Sequence, residues 1–158
     1  MTRRSANLNG LTLDDPRLKR LKIGVQMVGN DASNTPPAHA LAQRGIIANI
    51  RGYMLYGDYR RPNPPAGIVE AVERGDIDVA LVWGPLAGYF AARSPIPLRL
   101  APVTPWFADQ QWPMQFDVSV GVQKDNQKLL NQIDGALSCR SGDIRRLLAS
   151  YNVPVVQQ

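Results

Sequence analysis

Three short stretches hold the side chains best suited to bind something. "VGNDASN" carries Gly29, Asn30, Asp31, Ser33 and Asn34; "YGDYRR" carries Tyr56, Asp58, Tyr59 and Arg60; "VWGP" carries Trp83 and Gly84. Tyr56, Tyr59 and Trp83 offer flat apolar area with polar handles, the make-up of a cleft wall or an interface. The polar residues have a plain reading as well: Asn34 and Ser33 precede a helix and suit capping. Trp83 has two readings, a wall for a ligand or partner and an ordinary core tryptophan. The three stretches together make a candidate cleft; none does so alone.

Catalytic chemistry finds little to work with. His39 is the only histidine and Cys139 the only cysteine, they lie far apart in the chain, and no G-x-S-x-G sequence occurs. His39 reads as a structural helix residue. Asp76 and Asp78 in "GDID" precede an apolar run, Asp76 as a turn residue, and neither has an evident acid–base partner. One histidine and one cysteine cannot supply a nitrogen–sulfur metal site. A single cysteine also forms no internal disulfide. Phosphate cradles use the free N–H groups of a helix's first turn, and Pro36-Pro37 and Pro64-Pro65 delete those donors at two candidate helices. Neither an enzyme nor a nucleotide binder is expected, and no cofactor is expected.

The elements that must position the three stretches follow from periodicity. "LKIGVQ" (21–26) is a short β-branched run and reads as a strand. "NTPPAHALAQRG" opens with Asn34 and Thr35, tolerates its prolines in the first turn and stops at Gly45, so it reads as a helix. "IRGYMLYG" (50–57) gives a second strand. "NPPAGIVEAVERGD" repeats the helix grammar, with Asn63 as cap, Ile68 and Val72 one turn apart and Gly75 as stop. "IDVALVWG" is apolar on both faces, as a central parallel strand should be. A helix from Leu86 to Arg93 and a strand at "LRLAPV" follow. This alternation predicts an α/β fold with an open, mostly parallel sheet flanked by helices. Loops at the carboxyl ends of such strands border the crevice where ligands bind, and all three stretches fall there.

Beyond Val103 the grammar changes. "TPWFADQQWPMQ" is a Pro-, Trp- and Gln-rich loop, "FDVSVGV" (116–122) alternates like a strand, and two amphipathic helices close the chain. Leu129, Leu130, Ile133 and Leu137 line one apolar face; Ile144, Leu147, Leu148 and Tyr151 line another. These helices either cover the sheet or belong against something else.

With 158 residues, 44% hydrophobic and 20% charged, the chain suits one folded domain. A net charge of +5 leaves nucleic acid, a membrane surface or an acidic protein open as partners. The basic residues are scattered short pairs, such as Arg60-Arg61 and Arg145-Arg146, without a recognition motif, so they read as a solvated surface and no nucleic-acid partner is expected. No run approaches the ~20 apolar residues of a membrane span. The opening "MTRRSANLNGLTLDD" has no apolar h-region and is not read as a secretory signal.

The stretches "LDDPRLKRLKIGVQ", "NTPPAHALAQRGI", "YGDYRRPNPPAGIVEAVERGDIDVALVWGPLAGYFA", "FDVSVGV" and "IRRLLASYNVPVV" together resemble the second half of a periplasmic solute-binding-like protein. Within that group they resemble the quinoprotein-dehydrogenase-associated MxaJ/XoxJ branch of methanol oxidation. The resemblance runs from about Leu13 to Val156; "TPPAHAL" and "DVALVWGPLAGYF" are its more specific parts. It implies a periplasmic-binding-protein type II-like lobe and two lobes around a cleft. Residues 1–12 are then expected as a flexible segment, 13–115 as the second lobe, and 116–158 as a return crossover strand with C-terminal helices that pack on the first lobe. A truncated form of a longer protein is expected in preference to a complete small one.

The function implied is that of a non-enzymatic periplasmic accessory to a PQQ-dependent methanol or alcohol dehydrogenase, in partner binding, maturation or activation. The alternative is the substrate-binding component of an ABC transporter for a small molecule. An amino-acid ligand fits poorly, because amino-acid-binding relatives tend to have an acidic residue where this chain has Trp83.

Overall fold

The computed structural model of the chain describes residues 1–28, 35–55, 60, 62–106 and 113–155. Among the described residues, five strands form one sheet: β1 (Thr2–Arg3), β2 (Ile23–Met27), β3 (Ile50–Met54), β4 (Val79–Leu81) and β5 (Leu98–Arg99), in the order β3-β2-β4-β1-β5. β2 pairs in parallel with both β3 and β4, and β1 runs antiparallel to both β4 and β5. Four strands therefore point one way and β1 alone the other. Helices α1 (Pro36–Gln43), α2 (Gly67–Arg74) and α3 (Gly84–Ala91) connect them; α4 (Gln127–Cys139) and α5 (Ser141–Ser150) follow the sheet.

The register explains how two cores share this sheet. Ile23 stands beside Val79 and Val25 beside Leu81, while Gly24 stands beside Ala80. Since side chains alternate between faces, Ile23 and Val25 point to a core with Leu13, Leu18, Ala40, Leu41 and Ile46, under α1. Ala80 points to the opposite core, with Ile68, Val69, Val72, Ile77 and Leu98 from α2 and its surroundings. Gly24 faces that second core, and a Cβ there would run into Ile77 Cδ1 and lie 3.1 Å from the Tyr53 ring. The glycine is what lets Ile77 and Tyr53 close over the strand.

The helix stops act as their residue types require. Gly75 at φ 80° ends α2; its N–H donates to the Val72 carbonyl and the Asp76 N–H to that of Ala71, the paired bonds of a Schellman stop. Gly45 at φ 68° does the same for α1, with the Ile46 N–H donating to Leu41. "GDID" is structural as well. Asp76 pairs with Arg74 at 2.9 Å, and Asp78 accepts the Lys22 N–H at 2.9 Å while facing Arg3 at 3.7 Å.

Two expectations change. Residues 1–12 do not begin as a flexible segment: Thr2 is 5% exposed and sits in the sheet between β4 and β5, with the Met1 amino group donating to the Ala80 carbonyl at 2.7 Å. The open slot between two parallel neighbours gives these residues backbone partners that a free end would lack. "FDVSVGV" forms no strand either. Residues 116–121 are exposed, Val118 to 86%, and no sheet edge lies against them. Alternation suits a strand face, but pairing needs a neighbour. α4 and α5 form as the periodicity predicts, yet neither contains a buried residue.

Candidate functional site

The carboxyl ends of β2, β3 and β4 meet at one edge of the sheet, and a buried glutamine organises it. Gln26, 5% exposed on β2, accepts the backbone N–H of Trp83 on its Oε1 at 2.8 Å. Its own carbonyl accepts the Thr35 hydroxyl at 2.7 Å, just before α1. One side chain thus ties the end of β2 to the entrance of α3, and its backbone ties it to the entrance of α1. Sequence reasoning passed over Gln26, because a lone polar residue in an apolar strand carries no spacing signal.

Trp83 caps α3, whose first residues are Gly84 and Pro85, and its carbonyl accepts the Ala87 N–H at 2.9 Å. The backbone is fixed while the side chain stays out: Trp83 is 49% exposed and belongs to neither core. A depression of about 150 Å³ opens on the same edge, lined by Gln26, Tyr53, Met54, Pro64, Pro65, Gly67 and Ile68. Prolines occupy the first two positions of α1 and of the 3-10 turn before α2. In α1 the next two amides, of Ala38 and His39, already donate to the Thr35 carbonyl. The first turn of α1 therefore offers an anion neither of these amides.

Of the residues singled out above, Trp83, Gly84 and Arg60 are described. Arg60 is exposed in the turn leading to Pro64. Gly84 is turned toward the C-terminal segment, where a Cβ would lie 2.8 Å from Pro154 Cγ. Asn30, Asp31, Ser33, Asn34, Tyr56, Asp58 and Tyr59 lie outside the described residues. Among the described residues no group of three His, Cys, Asp or Glu could hold a metal ion, and no helix is long and apolar enough to cross a membrane.

A mostly parallel sheet with one antiparallel strand and helices on both faces fits a lobe of the periplasmic-binding-protein kind. The crystal structure of the periplasmic binding protein XoxJ from Methylobacterium extorquens superposes with a TM-score of 0.78 at 30% identity, covering 99% of this chain and 67% of that one. Protein MoxJ of Methylorubrum extorquens is 30% identical over 167 residues, covering 99% of this chain. MoxJ of Paracoccus denitrificans is 29% identical over 92 residues, covering 56% of it. No model of a known protein family matches. The chain belongs to the MoxJ/XoxJ family of periplasmic-binding-protein-like proteins. It spans 54% of the first MoxJ and 33% of the second, about half of such a relative or less.

Proposed function

We propose that this chain serves as a non-enzymatic, periplasmic accessory lobe to a PQQ-dependent methanol or alcohol dehydrogenase, and that the carboxyl edge of its sheet is the surface that meets the partner. The observation that carries the site is Trp83: an aromatic half in solvent on a backbone that Gln26 holds offers flat apolar area to a partner. Membership of the MoxJ/XoxJ family supports this reading, in which the dehydrogenase is the partner that the sequence resemblance implies. The loops with Asn30, Asp31, Ser33, Asn34, Tyr56, Asp58, Tyr59 and Arg60 follow β2 and β3 in sequence and complete the edge in this reading. Residues 13–115 are the lobe proper, and those from Phe116 onward are a separate C-terminal arm.

Immobilised 158-residue chain exposed to a periplasmic PQQ-dependent methanol dehydrogenase tests the reading. Retention of the dehydrogenase is expected, together with no thermal shift from a panel of amino acids and small alcohols. A stabilising metabolite with no dehydrogenase retention would replace this reading with the transporter one.

A further inference from the structure

The C-terminal arm holds few anchors. Among the described residues, neither hydrophobic core draws on one after Met114, and neither α4 nor α5 contains a buried residue. Where the chain leaves α5, however, it turns back onto the lobe. Asn152 adopts φ 52°, the Val153 N–H donates to the Leu148 carbonyl at 3.0 Å, and the Asn152 N–H to that of Ala149 at 3.0 Å. This is the same stop seen at Gly45 and Gly75, with asparagine in the left-handed position. It sends Asn152 to Pro154 across α3, onto the two glycines that lie one turn apart there. A Cβ on Gly88 would collide with the Asn152 carbonyl, and one on Gly84 would meet the Pro154 ring. Tyr151 stacks on Tyr89 with ring centroids 6.0 Å apart and an interplanar angle of 16°, and the Arg93 guanidinium lies 3.7 Å from the Tyr89 centroid.

We propose that Tyr151–Pro154 is a releasable clasp: the Gly84/Gly88 notch and the Tyr89 ring on α3 hold it, and through it they set where the C-terminal arm lies. Gly88 is buried, but Tyr151, Asn152 and Pro154 on the other side of the contact are exposed and belong to neither core, so local opening costs far less than unfolding the lobe. Pro154 touches the residue next to Trp83, so the arm is connected to the lip of the site as well as to the body of the lobe. The clasp is a property of the chain whatever the lip receives.

Two variants of the 158-residue chain test it. Gly88→Val fills the notch; Tyr151→Ala removes the stack at a half-exposed position where the cores are untouched. Each is expected to be nicked by chymotrypsin within α4 and α5 roughly tenfold faster than wild type, because proteolysis follows the open population. Each should also change the aromatic proton shifts of Tyr89, with hydrogen exchange in β2 and β4 unaltered. Since both variants release one contact surface, the double variant should be cut no faster than the worse single one. If Gly88→Val unfolds the lobe, Tyr151→Ala alone decides. Wild-type nicking with unchanged Tyr89 shifts in Tyr151→Ala, or fully additive effects in the double variant, would overturn the clasp.

Discussion

At the scale of single residues, Gln26 and Trp83 divide the work of the edge. Gln26 is the buried half: it satisfies the Trp83 N–H and so fixes the cap of α3. Gln26→Leu keeps the volume but leaves that donor facing an apolar group, which costs about 1–3 kcal/mol. A lowered denaturant midpoint with an unchanged slope is the expected result. Trp83 is the exposed half, and Trp83→Ala should cost only about 0.5–2 kcal/mol, against the roughly 3–5 kcal/mol of a core tryptophan. A loss in the larger range would return this side chain to the core. The sequence alone left both readings of Trp83 open, because an aromatic after a buried strand suits a wall and a core equally. The difference between them lies in burial, which depends on what packs above and carries no signal in a single sequence.

Among elements, those whose ends carry their own chemistry were legible. α1 and α2 start at prolines and stop at Gly45 and Gly75, and β4 is apolar on both faces. Thr2–Arg3 gave no such signal: two residues have no period, and only the slot between β4 and β5 makes them a strand. "FDVSVGV" failed in the opposite direction, since its alternation is strong and its neighbour is absent among the described residues. The loops after β2 and β3 were legible only as positions that follow strands. The contrast between lobe and arm yields a measurement. Amides of β2 and β4 should exchange at rates set by global unfolding, and those of α4 and α5 far faster, because few buried contacts hold the arm. Equal protection in a verified monomer would contradict the division at Phe116. Within the lobe, Gly24→Val forces a branched side chain against Ile77 and Tyr53. Overpacking of this kind costs about 1–3 kcal/mol, readable in thermal melts.

For the whole molecule, when it is prepared as the 158-residue polypeptide with a free Met1 amine, that amine lies at the sheet against the Ala80 carbonyl, and this makes stability depend on pH. Burial lowers the pKa of the Met1 amine from 8.0 to about 6. The folded state therefore disfavours the proton that the unfolded chain takes up below pH 8. The contribution is intact above pH 8 and is lost as pH falls toward and through about 6, on the order of 2–3 kcal/mol in total. Urea midpoints should accordingly rise between pH 6 and pH 8.5; a flat or falling trend would place the amine in solvent.

In the proposed function, the edge bearing Trp83 is where a PQQ-dependent dehydrogenase is met. The direct measurement is the affinity of a periplasmic methanol dehydrogenase for the wild-type chain and for Trp83→Ala, compared at a temperature where circular dichroism shows both folded. Loss of a central aromatic anchor typically costs at least ~2 kcal/mol of binding, a factor of about thirty in Kd. A weakening of that size, with the fold intact, is expected. Equal affinities for the two proteins, or no binding by either, would remove Trp83 and its edge from the interface.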